Sequence, residues 1–282
     1  MITVIETFRG RSVSGQSIEI VERKGTGHPD YMCDSIMEAI SVALSKEYLK
    51  EFGTVLHHNI DKGLLAAGRV RKRFGGGKML KRMELIVGDR ATFVASGKKI
   101  PVIDIAEEAA KKWVRDNMRF VDPERHLIYK FVLAPGSTEL IDIFLRPGKA
   151  RGANDTSAAV GYYPLSPTEE VVFELERYLN SKKFKEVYPE TGEDVKIMGL
   201  RKLKDLEMTV AMPFLASHIY SEKAYFQKKE EVHTEMVRFL GRFEAFHKKT
   251  IHFNTLDEKG RGLGGVYLSL LGTSAEDADS GQ

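Results

Sequence analysis

The chain has 282 residues, enough to bury a substantial core in two domains or one large α/β unit, and its 42% hydrophobic and 29% charged residues are those of a globular protein. Lys and Arg number 43 against 40 Asp and Glu, a net charge of +3, so the surface is dense in both signs rather than polycationic, and a nucleic-acid contact would need a local patch. The single cysteine, Cys33, excludes a disulfide framework and a cysteine-cluster metal centre, and no stretch reaches the ~18 apolar residues of a membrane span.

In chain order, residues 2–8 and 17–22 alternate as short strands of a hairpin around the turn-rich segment 10–15. The start lacks the apolar run of a signal peptide, so a cytoplasmic protein with no membrane partner is expected. The run Gly25-Thr26-Gly27-His28-Pro29-Asp30 then breaks regularity, and Ile36, Ile40, Leu44 and Tyr48 recur at helical spacing through Phe52. Cys33, near the start of that helix, reads as a buried structural thiol. Residues 57–68 suggest two strand pieces around a polar corner, and Arg69–Lys78 a basic, glycine-rich loop ahead of an apolar strand at 83–87.

A second amphipathic helix is expected over Ile103–Met118, and strands over 127–133 and 140–145. Ser166, Pro167 and Glu169 form a helix start, as N-cap, first helical residue and capping-box partner. That helix runs to about residue 180 and is followed by strands at 196–199 and 206–211. A helix over 220–246 carries Val232, Met236, Phe239 and Leu240 on one stripe, and 266–271 reads as a strand. The recurrence of helix and antiparallel strand pairs points to a repeated α+β layer, divided near residues 1–126 and 127–282 with interleaved domains.

The richest chemistry lies in Val21-Glu22-Arg23-Lys24-Gly25-Thr26-Gly27-His28-Pro29-Asp30, where two basic side chains, a glycine pair, an imidazole and two carboxylates suit a polyphosphate and a divalent cation. Strand, glycine turn and helix start in that order put His28 and Asp30 near a helix N-terminus, whose backbone N–H groups favour anions. Pro29 holds the His28 backbone extended at the mouth of the turn. A protonated His28 could donate to a leaving oxygen or phosphate, although a capping or solvent-facing histidine fits the same residues. Asp30 is the better metal-ligand candidate, because Asp34 also suits a first-turn acid.

Asn154 and Asp155 form a second polar cluster that could complete a Mg²⁺ site or simply build a turn. Lys196 beside a strand could neutralise phosphate or remain a surface lysine. The histidines lack the HExxH spacing of zinc hydrolases, and no GxSxG elbow, GxGxxG fingerprint or standard P-loop occurs.

Glu22–Asp30, together with Gly152-Ala153-Asn154-Asp155-Thr156-Ser157, Gly192-Glu193-Asp194-Val195-Lys196-Ile197-Met198-Gly199 and Gly272-Thr273-Ser274-Ala275-Glu276, closely resembles the archaeal-type S-adenosylmethionine synthetases from the first residue to the last. The resemblance implies a fold of similar α+β domains about a pseudo-threefold axis, homodimers or higher oligomers, and synthesis of S-adenosylmethionine from ATP and L-methionine. In that reaction the methionine sulfur attacks C5′, the whole triphosphate leaves, and it is cleaved to pyrophosphate and phosphate. The resemblance further implies Mg²⁺ and, in many members, K⁺.

By the same resemblance His28 and Lys196 are catalytic. Lys24, Asn154, Asp155 and Lys196 contact the nucleotide or methionine, and Asp30 ligates Mg²⁺. Two departures stand out. Arg69 occupies the place where bacterial-type enzymes carry a glutamate, so the monovalent-cation site is expected to differ. Family chains also continue past Gly-Thr-Ser-Ala-Glu into further triphosphate contacts, so an incomplete third domain is expected and the activity of the 282-residue form is left open. The competing readings are a noncatalytic polyphosphate- or RNA-binding module built on Arg69–Arg73, Lys78, Lys81 and Arg82, with few aromatics to stack on single strands, and an inactive fragment of the synthetase.

Overall fold

The computed structural model of the chain describes residues 10–137, 142–144, 146 and 161–282. Strand β1 (Ile18–Lys24) leads through the glycine turn into helix α1 (Pro29–Phe52). His28 caps α1, Pro29 occupies its first position, and Gly53 ends it at φ 68° in the left-handed region that closes many helices. Met32, Ile36, Ile40, Leu44 and Tyr48 are fully buried on one face. Strand β2 (His58–Ala66), the hairpin β3 (Arg69–Arg73) and β4 (Gly76–Lys81), strand β5 (Met83–Ala91), helix α2 (Val102–Asn117) and strand β6 (Leu127–Pro135) follow.

In β5, Met83, Leu85 and Val87 alternate into the core. This strand pairs antiparallel with β2 and parallel with β6, which returns through α2, giving a three-stranded sheet with α1 and α2 packed together against it.

The second part contains helices α3 (Pro167–Leu179) and α4 (Lys182–Val187), strands β7 (Lys196–Lys202), β8 (Asp205–Ala211) and β9 (Phe214–Leu215), helix α5 (Glu222–Leu240), and strands β10 (Lys248–Phe253) and β11 (Leu268–Ser269). Strands β7 and β8 are antiparallel, and β10 returns through α5 to lie parallel to β8. The order helix, strand, antiparallel strand, helix, parallel strand therefore occurs twice. This is an α+β fold of repeated sheet-and-helix units. Strand β1 does not join the unit that follows it: it pairs antiparallel with β7 at the edge of the second sheet, and the strand opening at Leu127 completes the first.

A buried ion network holds β1 there. Arg201 Nε lies 3.1 Å from Glu19 Oε2, Thr168 Oγ1 donates to the same carboxylate oxygen at 2.7 Å, and Ser166 Oγ donates to the other. The guanidinium also donates to the carbonyls of Gln16, Leu203 and Val13. Both charges are satisfied on several sides, which is what makes their burial tolerable. Ser166 and Glu169 close the expected capping box at the start of α3.

Several expectations change. Segment 69–78 is a hairpin rather than a loop: Val70 is buried between exposed Arg69 and Arg71, and Phe74 and Gly75, the latter at φ 81°, make the turn. Residues 58–66 are one strand with a register irregularity between Asn59 and Lys62, not two pieces. Residues 142–144 of the strand expected at 140–145 are helical, and the 2–8 strand lies outside the described residues. Helix α5 stops at Leu240, where Gly241 caps it, rather than reaching 246. Of the strand expected at 266–271 only Leu268–Ser269 pairs, and β10 was not foreseen. No helix among the described residues is long and apolar enough to cross a membrane.

Candidate active site

The last residue of β1, Lys24, sits directly opposite Lys196, the first of β7. Alternation along β1 sends Arg23 toward α3, where its Nε meets Glu176 at 2.6 Å, and leaves Glu22 and Lys24 on the other face. Two ammonium groups at adjacent ladder positions would repel. Carboxylates offset this: Lys196 Nζ lies 3.3 Å from Glu22, and Lys24 Nζ lies 3.9 Å from Glu22 and 2.5 Å from Asp30 Oδ2.

The glycine turn then presses onto residues 193–195. Gly25 N donates to Val195 O at 2.6 Å and Gly27 N to Glu193 O at 3.0 Å. A Cβ on Gly27 would stand 2.5 Å from Asp194 N, and one on Gly25 2.6 Å from Asn180 Nδ2 and 2.9 Å from Val195 O, so side chains are excluded by close approach of backbone to backbone. The Gly-Thr-Gly-His-Pro-Asp motif and the Glu193–Lys196 segment are thus two walls of one structure.

His28 is buried and is the N-cap of α1; its Nδ1 accepts from Asp30 N at 3.2 Å. Burial holds its pKa below the usual histidine value, with Lys24 and Lys196 acting in the same direction and Asp30 and Asp279 opposing them. Because Nδ1 accepts the Asp30 N–H, Nε2 is the ring nitrogen placed to carry a donor proton. Asp30 lies below the ordinary carboxylate range, chiefly through its hydrogen bond from Lys24. Cys33 is buried with its thiol pushed up to about 11 by desolvation, as a structural cysteine should be.

The structure brings Lys24, His28, Asp30 and Lys196 together at the N-terminus of α1. Asn154 and Asp155 lie outside the described residues. No group of three His, Cys, Asp or Glu side chains able to hold a metal ion occurs among the described residues. Mg²⁺ asks only one or two carboxylates of a protein when phosphate oxygens and water complete its shell, so Asp30 fits an ion that arrives with a polyphosphate.

Sequence reasoning passed over the carboxylates that organise this site. Asp194 is buried, with its pKa pushed up to about 6 by desolvation, and its Oδ2 accepts from Ser274 N at 2.7 Å. The 273–282 segment is ordered against the first unit: Leu65 and Gly281 exchange backbone hydrogen bonds at 2.8 and 2.9 Å, and Asp30 accepts from the Gln282 backbone. The signal for Asp194 was present in the Gly-Glu-Asp-Val-Lys run, where only the lysine was singled out.

The sequence profile of the S-adenosylmethionine synthetase (AdoMet synthetase) family matches residues 1–282. The chain is 42% identical over 282 residues to a probable S-adenosylmethionine synthase of Aquifex aeolicus, covering 99% of this chain and 70% of that one. It is 40% identical over 283 residues to the S-adenosylmethionine synthase of Pyrococcus furiosus, covering 99% and 69%. Among solved structures, an unusual S-adenosylmethionine synthetase from Campylobacter jejuni superposes with a TM-score of 0.51 at 15% identity, over 94% of this chain, a likeness of fold. The chain spans 62% of that solved protein's length.

Proposed function

Because this chain belongs to the S-adenosylmethionine synthetase family, with archaeal-type relatives about 40% identical over nearly its whole length, we propose that it acts in the synthesis of S-adenosylmethionine from ATP and L-methionine. The observation that carries this reading is the meeting of Lys24, His28 and Lys196 with Asp30 at the N-terminus of α1.

In the proposed reaction the methionine sulfur forms a bond to C5′ of ATP while the C5′–O bond breaks, and both electrons of that bond leave with the triphosphate. Negative charge grows on the departing oxygen, and preorganised donors aimed at it lower the barrier. His28 donates from Nε2, Lys24 and Lys196 neutralise the phosphate chain from adjacent strands, and the α1 N-terminus adds its partial positive charge. A Mg²⁺ ion held by Asp30 would neutralise further phosphate charge and orient the chain for cleavage to pyrophosphate and phosphate. The lysines already hold Asp30 and Glu22, so phosphate must displace those carboxylates or add beside them. Asn154 and Asp155 belong to this reading as adenosine or methionine contacts. So do a homodimer or higher oligomer, a pseudo-threefold arrangement of units, a cytoplasmic location, and a K⁺ requirement altered by Arg69.

The test is release of phosphate and pyrophosphate from Mg-ATP with and without methionine, with S-adenosylmethionine identified by mass. Methionine-dependent release supports the reading. Binding of ATP without turnover would favour an inactive fragment of the synthetase, and salt-sensitive RNA binding without ATP binding would sink the enzyme reading.

A further inference from the structure

The basic segment Arg69–Arg82 is not absorbed by the site above. Folded as the hairpin β3–β4, it docks across the second unit, with Gly75 N donating to Ile219 O at 2.8 Å. Beneath β4 lies a cleft of about 570 Å³, within the range of small-ligand sites, whose walls carry Lys78, Arg82, Arg125, His126, Phe120 and Ser217 and no carboxylate. None of these residues belongs to the Lys24–His28–Asp30–Lys196 cluster.

In a chain with nearly equal numbers of acids and bases, about half of the described lysines and arginines find an acidic partner. Lys81 and Lys130 share Glu84, and Lys72 reaches Asp277. Lys78, Arg82 and Arg125 make no ion pair among the described residues. Neighbouring acids are already engaged: Glu124 binds Lys111 at 2.9 Å and lies 3.6 Å from Arg115, Asp122 accepts the backbone N–H groups of Glu124 and Arg125, and Glu276 accepts those of the cleft-lining Leu270 and Leu271. His126 Nδ1 accepts from Asp122 N at 2.9 Å, which leaves the ring proton on Nε2 as a further donor.

We propose that this cleft is a second anion site, distinct from the glycine turn, that takes a small polyphosphate through Lys78, Arg82, Arg125 and His126. Single-stranded RNA is disfavoured as occupant because a stacking platform is missing. Phe120, the aromatic ring in the lining, already has the His218 ring edge-on at 5.7 Å and the Arg119 guanidinium 5.0 Å from its centroid. A polyphosphate needs only charge and donors, and the cleft supplies both. Because its walls come from β4, the 120–126 loop and the segment at Ser217, an occupant would clamp the hairpin between the two units.

The test is calorimetric titration with inorganic tripolyphosphate. The wild type should bind two per chain, a Lys24→Gln/Lys196→Gln variant should retain the cleft site, and an Arg82→Gln/Arg125→Gln variant should lose it, with affinity falling about tenfold per cation removed. Arg82→Lys/Arg125→Lys should restore much of the binding, and matching thermal melts would show that the variants fold. Methionine-dependent phosphate release should survive in the Arg82→Gln/Arg125→Gln variant, which separates this inference from the catalytic reading. Wild-type stoichiometry and affinity in that variant would overturn the proposal, as would tighter binding of a short single-stranded RNA at the same residues.

Discussion

The two units of this fold share an order of elements but not a way of being held together. The first packs α1 and α2 on its sheet through a core of Met, Ile, Leu, Val and Ala in which Tyr48 is the one fully enclosed ring. The second encloses Phe184, Phe214, Tyr225, Phe239, Phe246 and Phe253, and buries the Glu19–Arg201 pair as well. The same topology is thus satisfied by aliphatic packing in one place and by aromatic packing with a pinned charge network in the other. What differs most is ownership of β1, which belongs to the second sheet while its next residues open the first unit's long helix. The proposed site sits at that crossing, where neither unit alone supplies its four residues.

The largest effect should come from the crossing itself. His28→Asn keeps an acceptor for the helix cap but removes the Nε2 donor, and is expected to lower methionine-dependent triphosphate release roughly 10²–10⁴-fold with little change in melting temperature. An unaltered rate would remove His28 from the chemistry.

Next in size is Arg201→Ala, which leaves Glu19 buried and uncompensated and should cost about 3–5 kcal/mol in denaturant unfolding. Leu85→Ala in the first unit should cost about 2–5 kcal/mol by cavity formation alone. If replacing Glu19 and Arg201 together by Met is nearly neutral while Arg201→Ala is severe, the pair specifies where β1 goes more than it stabilises the fold. A mild Arg201→Ala would break the contrast between the units.

Asp194 sharpens it through pH. Its folded pKa, pushed up to about 6, lies above the ordinary aspartate value of 3.8, so between these values the folded state holds a proton that the unfolded state has lost. Its contribution to stability therefore falls as pH rises from about 4 to about 6, by on the order of 3 kcal/mol, and is level above that. Asp194→Asn, which can still accept from Ser274 N, should flatten that slope. An unchanged pH profile would contradict the buried position. The smallest effect is local: Ser221→Ala removes the hydrogen bond from Ala224 N that caps α5 and should cost about 1 kcal/mol.

Legibility in the sequence followed the range of the interaction. The capping box of Ser166 and Glu169 and the periodic face of α1 depend on neighbours three or four residues away, and both were readable. Hairpin β3–β4 reads as a loop because three glycines and six basic residues hide the single buried Val70. Strand β10 does not read as a strand because Lys248, Lys249 and His252 lie on an edge, where charge guards against unwanted pairing rather than marking a loop. At the site, His28, Asp30, Lys24 and Lys196 were each nameable from motifs, yet the pairing of Lys24 with Lys196 across most of the chain is a tertiary fact. Asp194 lies in the same Gly-Glu-Asp-Val-Lys run as Lys196, but its burial depends on the tertiary packing of the 273–282 segment.

The claim that both units meet at one nucleotide site is tested most directly by hydrogen–deuterium exchange with and without Mg-ATP. Simultaneous protection of residues 24–34 and 193–199 is the predicted result. Protection of either segment without the other, or of neither while ATP is bound elsewhere, would contradict it.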